Sequence, residues 1–173
     1  MEPIAPVPNG VVGVAQTSGN APIHAPLGVL EVDGVLAGMP RVNLTVSSVA
    51  GLNEMAPQDC SEPAVPIHRT GCDSIIFVGV GKKSGQAPNF ALIDDQLTPL
   101  RGLGTHAVDL VGIGERVSAG DELALVFYAS HPQFPSAISR DVTIPAVVIS
   151  GTAGLPLYAV DESGSALPGS GIK

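Results

Sequence analysis

Tryptophan is absent from this chain of 173 residues, and aromatic residues make up only 3% of it. Exposed aromatic platforms stack against sugars and unpaired bases, so a site of that kind has little here to draw on. Positive charge is scarce as well: eight Lys and Arg stand against sixteen Asp and Glu, for a net charge of −8. Binding a phosphate backbone needs clustered Lys and Arg, which disfavours nucleic acid as a partner. No stretch approaches the ~20 apolar residues of a spanning helix, so no membrane span is expected. The first 25 residues contain no Lys or Arg and lack the basic start of a signal peptide.

What the chain does have is 45% hydrophobic residues, 21 glycines and 16 prolines. Disorder needs low hydrophobicity, so this composition implies a packed domain with many turns. A chain of this length can bury roughly 70% of its unfolded surface in one domain. Residues 1–26, punctuated by Pro3, Pro6, Pro8 and Pro22, read as an irregular lead-in. Residues 27–160 read as the folded domain, and residues 161–173 as a Gly/Ser-rich tail.

Within the domain the hydrophobic period is two. Val42, Leu44 and Val46 alternate with Arg41, Asn43 and Thr45, the pattern of a strand with one solvated face. Residues 74–80 (SIIFVGV) form a continuous apolar run, as expected of a strand covered on both sides. Residues 105–113, 122–129, 146–150 and 155–160 read as further strands, with Ala119-Gly120-Asp121 and Ser150-Gly151 as turn signals. Gly112, Gly114 and Gly120 argue against helix over residues 105–129. Seven or eight short strands imply an all-β sandwich, jelly roll or barrel.

The chemical motifs are thin. Residues 79–84 (GVGKKS) suggest a phosphate loop, but the pattern needs a Gly at position 76, which is Ile. Gly112-Ile113-Gly114 lacks the third Gly of a dinucleotide fingerprint. No G-x-S-x-G elbow occurs, and His24, His68, His106 and His131 are each isolated in sequence. Asp94 and Asp95, with Asp73 or Asp109, are candidate oxygen ligands for calcium, against the reading of a solvated turn or a pair with Arg101. Adjacent carboxylates in a strand point to opposite faces, so only one of the two would reach a given ion. No other metal and no cofactor is expected. Cys60 and Cys72 bracket a polar segment with Pro63 and Pro66. A disulfide closing that loop would contribute about 3 kcal/mol. The bridge is the expectation, with two free thiols the alternative, and it implies an oxidising compartment. Asn43-Leu44-Thr45 is a sequon placed mid-strand and carries little weight.

The order of these segments resembles a known family. RVNLTVSS at residues 41–48 followed by DSIIFVGV at 73–80 is similar to the paired strands opening the C-terminal domain of the X-Pro dipeptidyl-peptidase and cocaine-esterase (CocE/NonD) hydrolases. LIDDQLTPLR at 92–101 resembles that domain's middle segment. The longest likeness is residues 107–135, AVDLVGIGERVSAGDELALVFYASHPQFP, and VVISGTAGLPL at 147–157 resembles the closing strands. The similarity spans residues 27–158. It implies a two-sheet jelly-roll β-sandwich of the galactose-binding-like type, packed in that family beside an α/β-hydrolase domain that carries the Ser-Asp-His triad. No catalytic residue carries over, since none of those motifs is present. The implied role is a non-catalytic accessory domain, with a hydrolase domain as its partner in cis or in trans. The segment between Ser48 and Asp73, which holds both cysteines, departs from the pattern and favours a secreted or cell-envelope variant. The alternative is a free-standing ligand- or carbohydrate-binding module, calcium-dependent in one version.

Overall fold

The computed structural model describes residues 4–13, 22–48, 74–134, 146–160 and 166–167. Cys60, Cys72, His68 and Asp73 lie outside them, and with them the expected disulfide. The described residues are all-β, apart from one 3-10 turn at Ile93–Asp95.

Among the described residues three antiparallel sheets are present. The first consists of β1 (Ile4–Gly13), β11 (Ala146–Gly154), β4 (Arg41–Ser48) and β8 (Gly104–Asp109), side by side in that order. The second runs β2 (Ile23–Val29), β10 (Glu122–Tyr128), β5 (Ile75–Lys83), with β6 (Ala91–Leu92) and β7 (Thr98–Arg101) both paired to the far side of β5. The third is smaller: β13 (Ala166–Leu167), β12 (Leu157–Val160), β3 (Gly34–Gly38) and β9 (Ile113–Val117). The sheets share one core. Val42, Leu44, Val46, Val147 and Ile149 from the first sheet join Ile76, Val78, Val80, Leu123, Leu125 and Phe127 from the second in a single buried cluster. Leu36, Ile113, Val117 and Leu157 extend it into the third.

The alternation in β4 holds residue by residue. Val42, Leu44 and Val46 are buried, while Arg41, Asn43 and Thr45 are exposed. The apolar run of β5 is covered on both faces, as expected, and the cover is local. Residues 84–97 leave the end of β5, double back and lie across the outer face of the second sheet. A Cβ on Gly79 would stand 2.5 Å from the Gln96 carbonyl oxygen and 2.6 Å from Leu92 Cδ1. One on Gly81 would fall onto Val126 and come 3.3 Å from Phe90 Cβ. The two glycines that resemble a phosphate loop are therefore what lets this strap lie against the sheet. The lysines after them belong to β5 rather than to a turn, and both are paired. Lys82 meets Glu115 and the Arg116 carbonyl, and Lys83 Nζ stands 2.7 Å from Glu122.

Three expectations need correction. Residues 4–13, within the expected irregular lead-in, form β1 and pair along β11. Their prolines are tolerated because β1 is the outer strand of its sheet among the described residues, where one side carries no ladder. The expected strand over residues 105–113 is broken between Asp109 and Ile113, and its two halves belong to different sheets. The expected strand over 155–160 begins only at Leu157, because β11 runs on to Gly154. Asp94 and Asp95 stand in a turn, as the reading set against calcium has it; both have a φ of 53°, and Asp tolerates that left-handed region better than most residues.

If Gly79 is the contact that admits the strap, Gly79→Ala should cost about 2 kcal/mol of stability through overpacking against a backbone carbonyl. Denaturant unfolding should show a lower midpoint at an unchanged slope. An unchanged midpoint would mean that the strap does not rest there.

Candidate functional site

The polar and aromatic groups with chemical potential gather where the strap and residues 130–134 meet the end of the second sheet. Phe77 and Tyr128 are cross-strand neighbours on β5 and β10. Phe134 stacks on Phe77 at 4.8 Å between ring centroids, and His131 meets Tyr128 edge-on at 4.9 Å. Gln133 Nε2 donates to the Asp95 carbonyl at 2.8 Å, and Gln133 N–H reaches His131 Nδ1 at 3.4 Å. Burial raises the Tyr128 hydroxyl above its ordinary range, and the nearby Asp95 carboxylate adds to the effect.

Asp94 points elsewhere. Its Oδ2 accepts the backbone N–H of Gly114 at 2.8 Å, tying the strap to β9. Asp109, the other described carboxylate proposed with it, pairs with Arg41 across the first sheet at 2.7 Å. The Arg41 hydrogen bond, helped by its charge, holds the Asp109 carboxyl below the usual carboxylate range. The structure thus does not bring Asp109 to the Asp94–Asp95 turn. Among the described residues no group of three or more His, Cys, Asp or Glu side chains is placed to hold a metal ion.

The described histidines are each engaged in packing or local bonding. His106 Nε2 donates to the Gly102 carbonyl at 3.1 Å. His24 lies on the outer face of β2 against Phe90, with ring centroids 5.0 Å apart. Lys83 stands 5.4 Å from the Phe90 centroid. His24 Nε2 is buried with no hydrogen-bond partner, and desolvation lowers its pKa. A pocket of about 170 Å³ lies at the end of the third sheet, lined by Asp33, Val35, Arg116, Ser118 and Val160 among others. Ligand pockets run to about 300–1,000 Å³, so this one is small for a cofactor. Sequence alone shows neither the Gln133 and Gly114 contacts nor the role of Phe90. They rest on pairings across the fold, and no local period marks them.

No protein-family model matches this sequence, and no curated protein does. Among solved structures, a crystal structure of a CocE/NonD family hydrolase from Staphylococcus aureus superposes with a TM-score of 0.50 at 13% identity. The match covers 88% of this chain and 33% of that one. This chain has the fold of one part of that hydrolase. A second crystal structure of the same hydrolase gives a TM-score of 0.46 at 12% identity, covering 90% of this chain and 36% of that one. The chain therefore spans about a third of the length of the hydrolase chains it matches, and at this identity the likeness is one of fold.

The geometry predicts two measurable effects. Asp94→Ala removes the acceptor for Gly114 and strains a left-handed position, which should cost about 2 kcal/mol; Asp94→Gly should cost less, since glycine relieves the backbone part. Chemical unfolding of the two variants measures the difference. The second effect is a pH dependence. Because His24 binds its proton less readily folded than unfolded, stability should be level above pH ~6.5, the unfolded value, and should fall as the pH drops below it. Comparing melting curves of the wild type and His24→Phe isolates this contribution; parallel pH profiles would show that His24 does not titrate on unfolding.

Proposed function

We propose that this chain is a non-catalytic accessory domain, a jelly-roll β-sandwich of the galactose-binding-like type. On this reading it works beside an α/β-hydrolase catalytic domain of a serine peptidase or esterase, in cis or in trans, framing the substrate cleft or aiding assembly. The observation that carries the architecture is the strand order. Setting aside the third sheet and the two-residue β6, eight strands remain: β1, β2, β4, β5, β7, β8, β10 and β11. Counted in chain order, one sheet runs first, eighth, third, sixth, and the other second, seventh, fourth, fifth. That interleaving is what two Greek keys folded into a double sheet produce.

Support for the accessory role comes from the fold match, which covers most of this chain and a third of the Staphylococcus aureus hydrolase. Support for a non-catalytic role comes from the described histidines, His24, His106 and His131, whose contacts are an aromatic ring, a backbone carbonyl and a neighbouring turn. The secreted or envelope location and the Cys60–Cys72 bridge belong to the same proposal and rest on the sequence.

The isolated chain should leave a nitrophenyl ester unhydrolysed above the buffer rate. Turnover abolished by a serine-directed inhibitor would overturn the non-catalytic reading. An encoding reading frame with no hydrolase domain, and no hydrolase gene beside it, would favour the free-standing binding module.

A further inference from the structure

We infer that the outer edge of β8 is a pairing edge for a second copy of this chain. β8 lies at one end of the first sheet, and among the described residues only β4 pairs with it. The direction of its backbone groups follows from one bond. Leu110 N–H donates to the Pro40 carbonyl at 2.7 Å, one step beyond the Arg41–Asp109 pair. In an antiparallel ladder, hydrogen-bonded and non-bonded pairs alternate. Gly104, His106 and Val108 therefore turn their N–H and C=O groups toward β4. Thr105, Ala107 and Asp109 turn theirs outward.

An outward row of donors and acceptors is a template for another strand unless a lysine, a proline or a bulge blunts it. The opposite edge of the sheet is blunted: β1 contains Pro6 and Pro8, which have no N–H. Residues 105–109 contain no proline and no lysine, and their register with β4 runs without a shift. Thr105, Ala107 and Asp109 are also exposed.

The side chains favour self-pairing over an arbitrary strand. A two-fold axis at Ala107, normal to the sheet, sets Ala107 against its own copy, where neither bulk nor charge opposes the approach. It sets Thr105 against the partner's Asp109, a hydroxyl donor facing a carboxylate, and keeps the two Asp109 side chains apart. Every outward N–H and C=O of the three residues then faces its complement, since the residues with outward groups all meet one another in this register. Two four-stranded sheets would become one continuous sheet across an isologous interface. An edge contact of this kind is small, so the dimer is concentration-dependent.

Sedimentation equilibrium over a wide concentration range tests the inference. The wild-type mass should rise with concentration from 17.5 kDa toward twice that value. Ala107→Pro removes an outward N–H without touching the β4 ladder, and Ala107→Lys places like charges face to face on the axis. Both should stay monomeric at concentrations where the wild type has dimerised, with unchanged far-ultraviolet circular dichroism. If the proline variant fails to fold, the lysine variant, at an exposed position, carries the test. A wild type that remains at 17.5 kDa throughout, or a folded lysine variant that dimerises like the wild type, would overturn the inference.

Discussion

The close approach of residues 84–97 to Gly79 and Gly81 is the constraint on which the rest of the second sheet depends. β5 and β10 are the middle strands of that sheet, and Phe77, Ala124 and Val126 on their outer face are fully buried. A short strap covers this face at Gly79 and Gly81, where the strand offers backbone in place of side chain, and Phe134 stacks on Phe77. Phe90, Leu92 and Leu97 bring apolar cover, while Asp94 and Gln133 tie the strap to β9 and to the segment after β10. Phe90 of the strap lies against His24, whose Nε2 is buried without a hydrogen-bond partner, and burial together with the strap's Asp95 carboxylate raises the Tyr128 hydroxyl. His24 thus packs on the strap, while Tyr128 packs on His131 after β10. Perturbed groups are often signs of a catalytic site, but structural burial produces them as well, and here the burial has an identified source.

This bears on function. The residues most suggestive of chemistry, the Gly-Lys segment and Asp94, are taken up in contacts between neighbouring elements. Lys82 and Lys83 meet carboxylates on neighbouring strands, and Asp94 caps an amide.

Much of the fold is legible in the sequence because burial leaves a period. The alternation at Val42, Leu44 and Val46 and the unbroken run at residues 75–80 translate directly into one-sided and two-sided strands. The segments that escape sequence reading do so for physical reasons. β1 is hidden by prolines that an edge strand accepts and a central one would not. β3, Gly34–Gly38, is short, with glycine at both ends, and carries no recognisable strand composition. The break between β8 and β9 is invisible because Leu110, buried at the corner, continues the apolar pattern. The Asp94–Asp95 turn depends on a left-handed backbone that composition does not announce. The strap's contacts depend on Leu92 and Leu97 finding Gly79 across a turn, which no local window contains.

Native-state hydrogen exchange tests the central claim most directly. If the strap and the core shield β5 and β10 on both faces, the amides of Val78, Val80, Leu125 and Phe127 should exchange only through global unfolding, with opening free energies equal to the stability measured by denaturant. Exchange of these amides through local opening, at free energies well below the global value, would contradict the account.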